Sequence, residues 1–159
     1  MFVVRRMVIL AAEDIGLADP QALSVAVAAQ QAVHFVGMPE GYLPLAECAL
    51  YLSLAPKSNS AIRAYTAAAK DVAETGSQPV PLHLRNATTG LMVREGYGRG
   101  YMYAHEYNKA LTAPGADLPP AQRLQAYLPE PLEGRRYYDP GDAGFEAKLK
   151  RWIDERRGD

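Results

Sequence analysis

The sequence predicts an all-α fold, and three observations lead to this prediction. Segments that end at proline or glycine follow one another through the first 76 residues, and their apolar residues recur at helical spacing. No segment shows the sustained alternation of a half-buried strand. In the second half, glycine, proline and tyrosine interrupt the chain so often that only short helices fit. We therefore expect one domain, residues 1–159, with a four-helix core (1–76), a loop-rich layer (77–141) and a last helix (142–158).

Composition narrows the class of protein. A chain of 159 residues can bury a core without disulfides or metal. Its 17 Lys and Arg residues balance 18 Asp and Glu residues, so no field of the whole molecule favours nucleic acid. Cys48 is the only cysteine, which fits a reducing compartment. Apolar runs stay below the roughly 18 residues that a membrane span needs. We expect a cytoplasmic protein without a membrane partner.

The first helix is predicted over residues 2–11 and is apolar on most sides. It begins without a capping residue, so we expect the chain to be a segment of a longer polypeptide. Glu13 and Asp14 follow at its C-terminal end, where negative charge opposes the helix dipole. Either an arginine or a backbone cap compensates them, or Asp14 caps the next turn.

A second helix is predicted between Asp19, a capping residue, and Gly37, which suits a helix end. Its polar residues form only a narrow stripe: Gln21, Ser24, Gln31 and His34. Such a helix lies in the middle of a bundle or is covered by a second copy of the protein. We therefore name Val25 and Val33 as candidate residues of a subunit interface.

The third helix follows Pro44 and ends at Pro56, and three successive polar residues, Ser58 to Ser60, can cap a fourth helix that runs to Thr75. Lys57, between these helices, either helps to hold an anion at the start of the fourth helix or satisfies the carbonyls that end the third. The fourth helix is amphipathic. Its apolar face carries Ile62, Tyr65, Ala69 and Val72.

The second half contains one candidate binding segment. Residues 96–101 read Gly-Tyr-Gly-Arg-Gly-Tyr, but the phosphate-loop pattern GxxxxGK[ST] is absent. The glycines are as easily explained by tight turns. Arginines beside tyrosines could instead bind single-stranded DNA through phosphate contacts and base stacking. The candidate DNA contacts are Arg94, Arg99, Arg135 and Arg136.

The remaining patterns predict no chemistry. Cys48 lies mid-helix among apolar residues and is expected to be an inert, buried thiol. His34, His83 and His105 lack metal-ligand spacing. The last helix, capped by Asp142, has an apolar face made by Phe145, Leu149, Trp152 and Ile153. We predict no catalytic, cofactor-binding or metal-binding residue.

Three stretches together resemble a known family. They are residues 5–20, which include Ala-Glu-Asp-Ile-Gly-Leu-Ala-Asp-Pro; residues 54–61, Leu-Ala-Pro-Lys-Ser-Asn-Ser-Ala; and residues 96–101 with 127–129 and 134–138. They resemble the C-terminal region of the replication-associated recombination protein A family, also called MgsA or RarA. Its members are AAA+ ATPases whose animal relatives interact with the Werner helicase. On this resemblance, a structural role is expected for the motif residues Glu13, Asp14, Asp19, Pro56, Lys57, Ser58 and Asn59.

The resemblance implies a helical bundle related to the clamp-loader collar, which assembles the ATPase into a homotetramer. The full-length family acts at DNA forks, ends and gaps, in replication, recombination and repair, together with single-strand-binding protein. Its ATP and Mg²⁺ belong to an N-terminal ATPase module without a counterpart in these residues, so we expect no enzymatic activity here. The alternative is a module that binds DNA or a replisome partner, with assembly secondary. Residues 103–122 depart from the family pattern, which leaves the role of that loop open.

Overall fold

The computed structural model describes residues 2–103, 105 and 125–157. Within these residues the regular structure is helical and no β-strand occurs, which confirms the predicted all-α class. The chain forms two compact units, residues 1–70 with 136–159, and residues 71–135. Most of the divergent stretch 103–122 lies outside the described residues. Within the described part, no helix is both long and apolar enough to span a bilayer.

The first unit contains most of the helices. They are α1 (Phe2–Leu10), α2 (Gln21–Val36), α3 (Tyr42–Leu54), the start of α4 (Ser60–Thr75) and the last helix, here called α6 (Glu146–Arg157). A π turn (Ala11–Ile15) and a 3-10 turn (Gly16–Ala18) connect α1 to α2. The second unit has α5 (Gly90–Arg94) and the 3-10 turns Leu82–Leu84 and Glu130–Leu132.

The core of the first unit is made by α1, α2, α3 and the turn that follows α1. The buried members of the cluster on α2 are alanines, Ala22, Ala26 and Ala29, whose small side chains let neighbouring helices approach closely. Ile15 and Leu52 fill the space opposite and are almost completely buried. Cys48 belongs to the same cluster, and its burial, followed by the charge of Glu47, raises the pKa of the thiol. An unreactive thiol is the consequence.

Within the described residues, helix α2 is covered on one side only, so they do not place it in the middle of a bundle as predicted. Asp19 Oδ1 accepts a hydrogen bond from the N–H of Gln21 at 3.1 Å, and Gly37 ends the helix with a φ of 79°. The polar stripe lies on the exposed side, next to large apolar residues that are also exposed. These are Leu23, Val27, Phe35 and Val36.

Helix α4 turns its apolar face outward. Ile62, Tyr65 and Val72 are all exposed, whereas the buried and half-buried positions of its first part are Ser60, Ala64 and Ala68. No residue of α4 belongs to the core cluster in the described part of the chain. The amphipathic pattern therefore predicted the helix correctly, but its apolar face stays exposed in the described part of the chain.

Helix α6 begins at Glu146, later than predicted from Asp142. Asp142 lies four residues before this start and does not cap the helix, and its Oδ1 accepts from Lys150 Nζ at 2.7 Å. The predicted apolar face is also wrong in part, since Phe145 and Trp152 are exposed. The fully buried residue of this helix is Glu146.

Candidate functional site

Lys57 lies in the elbow between α3 and α4, residues 55–59, and caps the C-terminal end of α3. Its Nζ donates to the carbonyls of Leu52 at 2.5 Å and Ala55 at 2.7 Å. The last carbonyls of a helix have no partner within the helix, and a cation there also complements the helix dipole. Of the two interpretations of Lys57, the structure supports the second, in which the lysine satisfies the carbonyls that end α3. Lys57 ends α3, and a different group lies at the start of α4.

The anion at the start of α4 is the chain's own Glu146 carboxylate. The Ser60 hydroxyl donates to its Oε1, the Tyr138 hydroxyl donates to the same oxygen at 2.9 Å, and the Gly141 N–H donates to Oε2 at 3.0 Å. Ser58 adds a further side-chain hydrogen bond. We call Glu146 with these four donors, Ser58, Ser60, Tyr138 and Gly141, the Glu146 cluster.

The Glu146 cluster favours the charged carboxylate. Burial by itself would raise the pKa of Glu146, but hydrogen bonds from Ser58, Ser60, Gly141 and Tyr138 outweigh it and lower the pKa. On the other side of the contact, burial and then the bond to Glu146 raise the pKa of Tyr138 to about 12. The phenol therefore stays protonated and remains a donor to the carboxylate.

Three segments that are far apart in the sequence meet beside this cluster. The Asp14 carbonyl accepts from the Ser58 N–H at 2.8 Å, and the Ala18 carbonyl accepts from the Phe145 N–H at 2.7 Å. A Cβ at Gly144, whose φ is 56°, would lie 2.1 Å from the Ala18 oxygen and 2.6 Å from Cγ of Pro56. Only glycine permits this approach.

The expected structural motif residues lie in these segments, though not always as predicted. The side chains of Glu13 and Asp14 are exposed, and no hydrogen bond or ion pair to either is seen in the described residues. Asp14 contributes through its backbone carbonyl. Asp19 also accepts from the Tyr51 hydroxyl at 2.7 Å, which ties α3 to the start of α2. Asn59 contributes a backbone carbonyl to the first turn of α4, accepting from Arg63 at 3.0 Å.

Sequence reasoning missed Glu146. Its neighbours were assigned to an apolar face, and a glutamate in the first turn of a helix is ordinarily a solvated residue that favours the helix dipole. The available signal was weak: two glycines, Gly141 and Gly144, directly precede the helix. Neither indicates that a carboxylate is buried there.

In the second unit, the glycine-rich loop is a structural turn. Gly96, Gly98 and Gly100 all have positive φ, and the Gly98 N–H donates to the Leu82 carbonyl at 2.9 Å. The guanidinium of Arg85 lies 5.2 Å from the centre of the Tyr97 ring. This contact, together with the hydrogen bond to Leu82, holds the loop against residues 82–85.

The candidate DNA-contacting arginines differ in their surroundings. Arg94 and Arg99 are exposed, and no ion pair to either is seen among the described residues. Arg135, also in the second unit, pairs with Asp71 at 3.3 Å. Arg136 is exposed and belongs to the first unit. The described residues contain no group of His, Cys, Asp and Glu suited to a metal ion.

The candidate interface valines are less exposed than expected. Val25 and Val33 are half-buried, and Val25 packs on the core cluster. The most exposed large apolar side chains of the first unit lie on other positions of the helices. They are Phe35 (91% exposed), Leu54 (84%), Phe2 (77%) and Tyr65 (74%).

Comparison with known proteins identifies the family. The sequence profile of the family described as MgsA AAA+ ATPase C terminal matches residues 1–157. The chain belongs to this family. It is 44% identical over 156 residues to Replication-associated recombination protein A of Coxiella burnetii, covering 98% of this chain and 33% of that protein. The namesake protein of Escherichia coli K12 is 39% identical over 159 residues, covering 98% and 33%.

The family extends to eukaryotes. The ATPase WRNIP1 of Dictyostelium discoideum is 44% identical over 139 residues, which cover 87% of this chain and 15% of that protein. The chain thus spans about a third of the length of the bacterial relatives named above. The motif residues that suggested the family lie largely in the segments that meet beside Glu146.

Proposed function

We propose that this chain is the non-catalytic assembly domain of an AAA+ ATPase, and that it joins subunits into a homotetramer. The observation that carries the proposal is the large apolar side chains that stay exposed on α1 to α4. Extended exposed apolar surface is typical of protein interfaces. A single domain over residues 1–159 with a likeness to the clamp-loader collar is part of this proposal.

The wider role follows the names of the relatives. The name Replication-associated recombination protein A supports a role of the whole protein in replication-associated recombination. From the family resemblance we propose that it acts at DNA forks, ends or gaps, in company with single-strand-binding protein. ATP and Mg²⁺ would then act in the ATPase part and not in residues 1–159. We also propose a cytoplasmic location.

Light scattering across a concentration series tests assembly. We expect the mass of four chains, falling toward one chain when a charge enters the interface. Suitable variants are Phe35→Glu, Leu54→Glu and Tyr65→Glu, because each changes an exposed side chain on a different helix. Lys148→Glu is the control, since Lys148 is an exposed residue of α6 and lies outside the exposed apolar side chains of α1 to α4. Val25→Glu is less informative, because Val25 packs on the core and its replacement would also destabilise the fold.

Either of two results would contradict the proposal. One is a well-folded monomer at every concentration. The other is a tetramer whose mass none of the three variants lowers, since the exposed apolar side chains would then not form the interface.

The second candidate function is DNA binding, favoured by the exposure of Arg94 and Arg99. Binding through phosphates weakens with salt, and each lost contact should lower the slope of log affinity against log salt by about one. The variant with both Arg94→Ala and Arg99→Ala should therefore bind single-stranded DNA more weakly than the control Arg135→Ala, whose arginine already pairs with Asp71. Equal binding by the two variants would exclude these arginines as the contact.

A further inference from the structure

A groove of about 450 Å³ lies within the second unit, between residues 78–85 on one side and residues 126–133 on the other. This volume is within the range of sites that bind a ligand. The surface of the groove is mostly apolar. We call it the proline groove, because two prolines line each side: Pro79 and Pro81 on one, and Pro129 and Pro131 on the other.

The two sides of the proline groove are fixed by hydrogen bonds. His83 Nε2 donates to the Ala126 carbonyl at 2.7 Å and so joins one side to the other. Arg85 Nε donates to the Val80 carbonyl at 2.5 Å, which holds the first side in its shape. The ring of each proline also restricts its own backbone, so little conformational freedom is lost when a ligand binds. The groove is therefore preorganised.

The proline groove is suited to an apolar side chain. Val80 and Leu82 line it and are 55% and 48% exposed. Proline has no N–H group, and the Val80 carbonyl already accepts from Arg85, so these walls offer little for pairing with the backbone of another segment. A ligand therefore gains its contact by burying apolar surface against the prolines, Val80 and Leu82.

The charge at the proline groove is negative. Glu130 and Glu133 line it and are exposed, and neither carboxylate has an ion pair or hydrogen bond in the described part of the chain. The cation among the lining residues is Arg85, whose guanidinium is already engaged. It donates to the Tyr97 hydroxyl at 3.3 Å and lies 5.2 Å from the centre of that ring. The complementary ligand carries positive charge.

We propose that the proline groove docks a segment of a partner protein that inserts one apolar side chain and carries lysine or arginine on either side of it. The apolar side chain packs between the prolines, and the flanking cations pair with Glu130 and Glu133. Exposed ion pairs each add little affinity, so the apolar side chain supplies most of the binding and the charges select the partner. This inference goes beyond the proposed assembly function and does not depend on it.

Three fluorescent synthetic peptides of equal length test docking to the full chain. The first has one phenylalanine between two lysines on each side. The second has glutamates in place of the lysines, and the third has glycine in place of the phenylalanine. Fluorescence anisotropy should show that the first peptide binds about tenfold more tightly than either of the others, because only the first has both the apolar side chain and the positive charge.

Variants of the carboxylates locate the charged part of the site. Glu130→Gln and Glu133→Gln each remove one negative charge from the groove, and each should weaken binding of the first peptide about two- to fivefold. Glu95→Gln is the matched control, since it removes an exposed carboxylate of the same unit that does not line the groove. Its affinity for the first peptide should equal that of the unmodified protein.

A variant of Val80 locates the apolar part. Val80→Thr keeps the shape of the side chain but replaces a methyl group by a hydroxyl, and it should weaken binding of the first peptide about threefold or more. Val93→Thr is the matched control. Val93 is 61% exposed, close to the 55% of Val80, and lies on α5 outside the groove.

Four results would overturn the proposal. The first peptide could fail to bind, or it could bind no more tightly than the glutamate peptide. The groove variants could bind it as their controls do, which would place the peptide on another surface. Finally, Val80→Thr could lower the mass of the assembly in light scattering while Val93→Thr does not, which would mean that a second copy of the chain occupies the groove.

Discussion

Replacing Gly144 by alanine should destabilise the first unit more than an ordinary glycine substitution. Gly144 has a φ of 56°, where an L-residue costs about 1 to 2 kcal/mol. The added Cβ would also lie 2.1 Å from the Ala18 oxygen and 2.6 Å from Cγ of Pro56. Neither atom can move without moving the backbone or ring that carries it, and such overpacking costs about 1 to 3 kcal/mol. We expect a total loss of about 2 to 5 kcal/mol.

The matched control is Gly37→Ala. Gly37 has a φ of 79°, but no atom lies within 4 Å of the position of an added Cβ. It should therefore lose only the conformational term, about 1 to 3 kcal/mol for a φ of 79° with a ψ of −178°. Urea unfolding of both variants, followed by circular dichroism, measures the difference through the transition midpoints. Equal losses in the two variants would refute the close approach of residue 144 to Ala18 and Pro56.

Three further outcomes are expected. Burial alone would raise the pKa of Glu146, but its hydrogen bonds lower the pKa below 4.5. The charged carboxylate therefore stabilises the fold above pH 4.5, and this contribution is lost as the pH falls through the pKa of the folded state. The gap in urea midpoint between the unmodified protein and Glu146→Gln should accordingly shrink in acid, and a constant gap would contradict this. Lys57→Met should lower the unfolding free energy by about 1 kcal/mol, because Lys57 satisfies the last carbonyls of α3. The control Lys148→Met, which replaces an exposed lysine of α6, should leave the unfolding free energy unchanged. Cys48 should resist alkylation until denaturant unfolds the core, and rapid labelling of the folded chain would contradict its burial.

The structure changes which substitutions test subunit assembly. The apolar periodicity placed Val25 and Val33 on a helix whose surface must be buried against other residues. It did not show which side of that helix is buried within the chain itself. In the structure the alanines of α2 are buried and Phe35 is exposed. A charge at Phe35 therefore tests the interface with little effect on the core. A charge at Val25 would change both subunit assembly and core stability, so its effects could not be separated.

The helices themselves were predictable because their signals are local. Asp19 and Gly37 bracket α2, and Pro56 follows α3, since capping and chain-breaking chemistry acts within a few residues. The family was recognisable for the same reason, from short contiguous motifs. The interpretation of residues 96–101 as tight turns also needed only the intrinsic freedom of glycine.

What the sequence by itself determined is the all-α class, the positions of α1 to α4 and the family. The tertiary structure alone decided which face of each helix is covered, and it turned the apolar face of α4 outward. It also decided that Glu146 is buried, because its donors come from residues 58–60 and 138–141, which are far apart along the chain. A carboxylate is stable in a buried site only when several donors converge on it. That convergence depends on how distant segments pack, which no local pattern records.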